Sequence, residues 1–256
     1  MKLGELAGAG HDLSETAAQV EIAGLTADSR EVRENYLFAA LPGTQMDGAA
    51  FIPQAIISGA AAILITQGSE AANDWSVPVV QDPDPRRALA QMAARLYAKQ
   101  PDILVAVTGT SGKSSIVTYV RQLWTAMGYN AASLGTIGVE TAGGPRGGGL
   151  TTPDPVALHK PLATLAEDGV THLDLDASRH GLQQRRLDGL AISAAAFTNL
   201  SRDHLDYHAS FDDYRTQKLR LFDTLLAEGK PAVINADSDA AGAFLAAAKK
   251  RSQKPI

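Results

Sequence analysis

The sequence predicts an α/β chain: a small N-terminal α/β domain over residues 1–100, then a doubly wound, mostly parallel sheet over residues 101–256. Three observations carry this expectation. Short apolar runs alternate with helical patterns along the chain, as they do where helices connect parallel strands. Pro101 follows one helical stretch and precedes a new strand pattern, so it marks a boundary. The run Ile103-Leu-Val-Ala-Val-Thr-Gly-Thr-Ser-Gly-Lys-Ser-Ser115 reads as a buried strand, a Gly-rich turn and a helix start.

In the first unit, Glu21–Thr26 and Tyr36–Leu41 read as strands, with Pro42-Gly43 as a turn. Phe51–Gly59 is patterned as a helix and Ala62–Thr66 as a strand. Pro85–Gln100 is expected to be helical up to Pro101, because the residue before a proline is pushed out of the helical region. In the second unit, Ile116, Val117, Val120, Leu123, Trp124 and Met127 recur at helical spacing after the Gly-rich turn. Gly143–Gly149 reads as a flexible loop, and Pro155–Gly169 as a helix. Thr171–Asp176, Ala191–Thr198 and Pro231–Asn235 read as strands, and Ala240–Lys250 as a helix before a polar tail, Arg251–Ile256.

Composition narrows the classes. A net charge of −5, with no basic runs, argues against nucleic-acid or anionic-membrane partners. The chain has no cysteine, which excludes disulfides and thiolate metal sites and suits a reducing cytoplasm. No run approaches the roughly 20 apolar residues of a membrane span. A monomer is the default expectation.

Short glycines let backbone N–H groups close around phosphate oxygens, and the following helix adds its positive end. Lys113 can then neutralise the outer phosphates and the Ser114 hydroxyl can hold Mg²⁺, so the turn implies a nucleoside triphosphate. It is a variant of the usual G-x-x-x-x-G-K-[ST] pattern: Val107 occupies the first glycine's place and Gly109 stands two positions later.

Thr108-Gly-Thr-Ser-Gly-Lys-Ser114, Thr151-Thr-Pro-Asp154, Ser178-Arg-His-Gly-Leu182 and Thr198-Asn-Leu-Ser-Arg-Asp-His-Leu-Asp-Tyr-His208 together resemble the Mur ligase family. Within it they are most similar to the branch that adds the third amino acid, diaminopimelate or lysine, to UDP-N-acetylmuramoyl-L-alanyl-D-glutamate. Asp28-Ser-Arg-Glu-Val32, Leu37–Gly43 and Asp47-Gly48 with Phe51–Ala55 look like that family's uridine-nucleotide domain. The resemblance implies a phosphate-loop ATPase-like central domain, which activates a carboxylate as an acyl phosphate for attack by the incoming amine.

The resemblance also implies site residues. Gly109, Thr110, Ser111, Gly112, Lys113, Ser114 and Ser115 would hold ATP. Ser114, Asp176, His204 and a carbamylated Lys218 would hold Mg²⁺, and Lys113, His204 and Lys218 would serve catalysis. Ser29, Thr44 and Gln45 would meet the uridine diphosphate, and Thr151, Thr152, Ser178, Gln184 and Arg186 the sugar-peptide. Asp176 stands where the branch carries glutamate, Arg179 where it carries a second serine, and Ser111 where the loop has asparagine. Read by periodicity alone, Lys218 shares a helical face with Tyr214 and Leu221, and its stem would lie over apolar surface with the amine in water. Family members carry a third, C-terminal domain, so the chain reads as an N-terminal plus central portion with an incomplete central domain, expected to be inactive alone. Two functions stay open at this point: a ligase, or a non-catalytic module that binds a UDP-sugar-peptide or ATP.

Overall fold

A computed structural model describes residues 1–43, 47–72, 75–135, 138–146, 154–201 and 211–256. These residues form two compact units, Met1–Ala98 and Lys99–Ile256. The first unit begins with helices α1 (Leu3–Ala7) and α2 (Glu15–Ala18). Its sheet is all parallel, in the order β1 (Gly24–Thr26), β2 (Tyr36–Ala39), β3 (Ala60–Thr66) and β4 (Val79–Asp82), with α3 (Ile52–Ile57) between β2 and β3. Helix α4 (Pro85–Leu96) begins on Asp84, whose carboxylate accepts from the Arg87 N–H. It buries Ala88, Leu89, Met92 and Ala93.

Helix α4 ends earlier than the proline-based expectation of Gln100. Tyr97 already leaves the helical region at φ −109°, ψ 63°, so Pro101 lies beyond the end rather than causing it. Just before that end, the Arg95 guanidinium donates to the Leu6 and Ala7 carbonyls at 2.8 and 2.9 Å, satisfying the last turn of α1.

The second unit contains β5 (Ile103–Thr108), α5 (Lys113–Ala126), β6 (Ala131–Gly135), β7 (Gly138–Thr141), β8 (Gly144–Arg146), α6 (Pro155–Glu167) and β9 (His172–Asp176). It continues with α7 (Arg179–Gln183), β10 (Ala194–Phe197), α8 (Phe211–Arg220), a π-helical turn at Leu221–Leu225, β11 (Pro231–Ile234), α9 (Ala241–Lys250) and β12 (Lys254–Pro255). The sheet order is β12-β11-β10-β5-β9-β6-β7-β8. Every pairing from β12 to β6 is parallel, and β6-β7-β8 is antiparallel.

Helices cover both faces of this sheet. On one face, Leu173 and Leu175 of β9 pack with Leu158 and Leu162 of α6, Phe222 and Phe244. On the other, the alternate β9 residues His172, Asp174 and Asp176 lie under α5.

Two local expectations are corrected. Gly144–Arg146, read as loop, is an edge strand, and the Thr141 hydroxyl closes its turn by donating to the Gly144 carbonyl at 3.1 Å. The polar tail also supplies a strand: the N–H groups of Lys254 and Ile256 donate to the carbonyls of Lys230 and Ala232.

Helix α5 forms where the spacing predicts it, but only Val117 is buried, while Leu123 and Met127 are 63 and 68 % exposed. The inward face is set by Ser114, Val117, Arg121 and Trp124, spaced three and four apart. Ser114 donates to Asp176, Arg121 donates to Ser133 at 3.1 Å and to Glu140 at 3.0 Å, and Trp124 meets the His172 ring edge-on. Polar docking onto a polar sheet face therefore acts with Val117 and Trp124 to fix the helix rotation.

Asp174 lies within that face, opposite Ser133 in the β9-β6 register and fully buried, and neither carboxylate oxygen has a hydrogen-bond partner among the described residues. Burial pushes its pKa up to about 8, with only partial relief from Arg121. The folded chain therefore holds a proton here that the unfolded chain releases near pH 3.8, so this group lowers stability as pH rises from about 4 to about 8. Asp174→Asn, which keeps the shape of the neutral acid, is expected to raise stability by about 3 kcal/mol at pH 8 and to leave it near wild type at pH 4. Chemical denaturation at the two pH values measures the difference.

Candidate phosphate-loop site

Strand β5 stops at Thr108, whose buried hydroxyl donates to the Ala177 carbonyl at 3.0 Å. The chain then turns through Gly109–Gly112 into α5, at the carboxyl edge of the sheet, where open α/β sheets place ligands. Asp176 closes β9 at the same edge, and Thr198, Asn199 and Asn235 follow β10 and β11 there. Parallel pairing brings together residues far apart in sequence: Val107 stands opposite Asp176, and Thr108 opposite Phe197.

The loop lies hard against the end of β10. The Thr110 N–H donates to the Asn199 carbonyl at 2.9 Å. The Ser111 N–H donates to Asn199 Oδ1 at 3.1 Å, while Asn199 Nδ2 and Thr198 Oγ1 donate back to the Ser111 carbonyl at 3.2 and 2.8 Å. Asn235 Nδ2 in turn donates to the Thr198 carbonyl at 2.8 Å. Thr198 and Asn199 stood inside a quoted motif with no role of their own, and Asn235 stood outside any motif. A threonine and an asparagine directly after a strand were the available signal, since both readily hydrogen-bond nearby backbone.

Two lysines reach the same turn. Lys113 Nζ donates to the Thr110 carbonyl at 3.0 Å. Lys218, on α8, is only 2 % exposed, and its Nζ donates to the Gly109 carbonyl at 2.6 Å while lying 4.8 Å from the Tyr214 ring centroid. The amine in water that periodicity alone suggested is therefore corrected: α8 points Lys218 inward, over the loop. Burial lowers its pKa to about 7, and Lys113 adds repulsion in the same direction. Tyr214 also faces the site, with its hydroxyl 3.1 Å from Thr110 Oγ1.

Ser114 Oγ donates to Asp176 Oδ2 at 3.1 Å. Asp176 is buried, and burial raises its pKa against the opposing pull of Lys113, Ser114 and Lys218. A hydroxyl and a carboxylate side by side at a helix N-terminus are hard oxygen donors, so this pair suits Mg²⁺. Ser115 lies exposed on the first turn of α5. The arrangement can hold an anion between two cations and a helix end, with a divalent cation beside it.

Other expected site residues lie further along the second unit. Ser178 caps α7, its Oγ accepting from the Gly181 N–H at 3.1 Å. Arg179 reaches Asp213 at 3.8 Å and adds to the positive surroundings of Lys218. Gln184 Oε1 accepts from Arg186 Nε and Nη2 at 3.1 and 2.7 Å, which aligns the guanidinium. Between them Arg185 takes a left-handed φ of 61°, where the Arg186 N–H returns to the Gly181 carbonyl and ends α7.

Ser29 belongs to the first unit, in a 3-10 turn at Ser29–Glu31 after β1. Beside it Arg30 grips the Asp28 carboxylate and holds its pKa at about 2. Thr44, Gln45, Thr151, Thr152 and His204 lie outside the described residues.

The two loop glycines differ sharply. At Gly109, with φ 149°, an added Cβ would fall 1.9 Å from Thr198 Oγ1, whereas at Gly112, with φ 83°, it would meet nothing within 4 Å. Gly112→Ala should cost about 1 kcal/mol for the left-handed backbone alone. Gly109→Ala should cost about 3 kcal/mol or more, because Thr198 must also give way. Melting curves of the two variants test this order, and equal losses would contradict it.

Comparison with known proteins agrees with the geometry. The Mur ligase middle domain matches residues 107–256, and the Mur ligase family catalytic domain matches residues 21–97. UDP-N-acetylmuramoyl-L-alanyl-D-glutamate–2,6-diaminopimelate ligase of Rhizobium meliloti is 49 % identical over 255 residues, covering 98 % of this chain and 52 % of that protein. The ligase of the same name from Caulobacter vibrioides is 52 % identical over 238 residues, covering 91 % of this chain and 49 % of its own length. A solved structure of a UDP-N-acetylmuramoyl-L-alanyl-D-glutamate–2,6-diaminopimelate ligase superposes with a TM-score of 0.83 at 30 % identity, covering all of this chain and 52 % of its own. MurF ligase from Thermotoga maritima, in complex with ADP, shares the fold at a TM-score of 0.53 and 18 % identity, over 95 % of this chain and 51 % of its own. The chain spans about half the length of the curated relatives it matches. With a family match over more than half its residues, the chain belongs to the Mur ligase family.

Proposed function

We propose that this chain carries the nucleotide- and precursor-binding part of an ATP-dependent ligase that joins diaminopimelate to UDP-N-acetylmuramoyl-L-alanyl-D-glutamate. The observation that carries the reading is the convergence of Lys113, Ser114, Asp176 and Lys218 on one glycine turn. Relatives at about half identity that bear that enzyme's name favour diaminopimelate over lysine. In this reading the unit Met1–Ala98 holds the uridine diphosphate through Ser29, Thr44 and Gln45, and Lys99–Ile256 holds ATP.

The chemistry asked of the site is electrostatic. An oxygen of the glutamyl carboxylate attacks the γ-phosphorus of ATP and ADP leaves. The amine then attacks the acyl carbon, a proton departs from nitrogen, and phosphate is expelled. Negative charge on the phosphoryl oxygens needs fixed cations and aimed N–H donors, which Lys113 and the first turn of α5 provide. Ser114, Asp176 and His204 would hold Mg²⁺, whose chemistry when bound is to neutralise phosphoryl charge. Thr151, Thr152 and Ser178 would meet the sugar-peptide, and Arg186, aligned by Gln184, would grip a carboxylate.

Lys218 would join the metal site as a carbamate. Lys113 and Arg179 both repel the Lys218 cation, while Asp176 attracts it, so an anion at this position would be drawn toward two cations. A lysine with a pKa near 7 is also substantially neutral at physiological pH, the form that adds to CO₂. Intact mass under native conditions in bicarbonate is expected to show one added CO₂, lost in Lys218→Ala. Unmodified protein in the presence of Mg²⁺ would remove this part of the reading.

Titration calorimetry with UDP-N-acetylmuramoyl-L-alanyl-D-glutamate, against UDP-N-acetylglucosamine, tests the main proposal. Selective heat with the dipeptide form is the expected outcome. Equal or absent binding of both by folded protein would overturn it.

A further inference from the structure

We propose that Asn199 is a positioning residue that latches the phosphate loop by gripping both the backbone N–H and the backbone carbonyl of Ser111. The inference rests on the reading of Gly109–Ser114 as a triphosphate cradle, and it adds a residue to which no role has been given. The backbone N–H of Ser111 can only donate and its carbonyl can only accept. A side chain satisfying both must offer one acceptor and one donor at the spacing of an amide. Asn199 does so, with Oδ1 at 3.1 Å from the N–H and Nδ2 at 3.2 Å from the carbonyl.

The grip continues along the backbone, because the Asn199 carbonyl takes the Thr110 N–H at 2.9 Å. Two successive loop N–H groups are thereby turned toward β10. The loop cannot rotate them toward phosphate without breaking the latch, so the first-turn N–H groups of α5 become the ones presented to the ligand. The latch is anchored from behind: Thr198 donates to the same Ser111 carbonyl, and Asn235 holds the Thr198 carbonyl from the end of β11. Among the described residues the hydrogen bonds of the Asn199 side chain go to Ser111 of the loop, so it acts through the loop's shape.

The test exploits the likeness between an amide and a carboxylic acid. In Asn199→Asp the protonated acid keeps one acceptor and one donor, whereas the carboxylate has only acceptors and repels the Ser111 carbonyl. The full chain and its variants are titrated with MgATP from pH 8 to pH 4, and each affinity is expressed as a ratio to wild type at the same pH. The charged groups around the loop, Lys113, Lys218, Asp176 and Arg179, and the ATP phosphates are common to both proteins, so the ratio reports on residue 199. Asn199→Asp is expected to bind about tenfold more weakly at pH 8 and to recover to within about threefold at pH 4, where a carboxyl of ordinary pKa is about half protonated. Asn199→Ala should stay about tenfold weaker throughout.

A ratio for Asn199→Asp that does not change with pH, or Asn199→Ala binding as well as wild type, would overturn the latch while leaving the cradle intact. Wild-type chain that fails to bind MgATP, with Lys113→Ala no different, would overturn the cradle and the latch together. Melting curves at each pH establish that the variants are folded. Should Asn199→Asp not fold, Thr198→Val removes the second donor to the Ser111 carbonyl: weaker MgATP binding is then expected, and unchanged affinity would sink the proposal.

Discussion

Gly109 has no side chain, and that absence lets the phosphate loop lie against Thr198 and Asn199. The contact is possible because β5 and β10 pair in register up to Thr108 and Phe197, so both strands release their chains at the same height. Everything placed at the carboxyl edge follows. The loop turns over the strand ends, α5 starts where the turn ends, and Ser114 arrives beside Asp176. A bulkier residue at position 109 would lift the turn away from β10 and move the helix start with it.

Around that turn, charges are held where water would ordinarily dissolve their interaction. Lys218 is buried over the Gly109 carbonyl, and Asp176 is buried beneath Ser114. Each is destabilised by its own desolvation and supported by the other's charge. Such an arrangement weakens the empty fold and strengthens any ligand that completes it. Binding of a phosphate anion and a divalent cation would supply the missing counter-charges, so site and ligand stabilise one another.

The face of the sheet beneath α5 extends this polarity inward. His172, Asp174 and Asp176 alternate down one side of β9, with Ser133 and Glu140 alongside on β6 and β7. Arg121 bridges the last two, and the ring of His172 packs against Trp124 and Tyr129. The helix that carries Lys113 and Ser114 is therefore docked by directional contacts rather than by a greasy stripe. Directional contacts fix its rotation, which apolar packing alone would leave freer. The opposite face, with Leu173, Leu175, Phe197, Phe222 and Phe244, supplies the apolar core.

The amino-acid order by itself determined β1, β2, β3, β5, β9, β10 and β11, the glycine turn and the family, because short-range patterns of apolar residues, glycines and motif spacing are local properties of a chain. Local patterning did not reach several details. The end of α4 was decided by the backbone of Tyr97. The strand at Lys254–Pro255 exists only because β11 offers a free edge. The rotation of α5, the burial of Lys218 and the grip of Asn199 on Ser111 depend on which side chains parallel pairing sets opposite one another. Those partners are 88 residues apart for Asn199 and Ser111, and 109 for Lys218 and Gly109. Their meeting is a consequence of strand order, which only the tertiary structure decides.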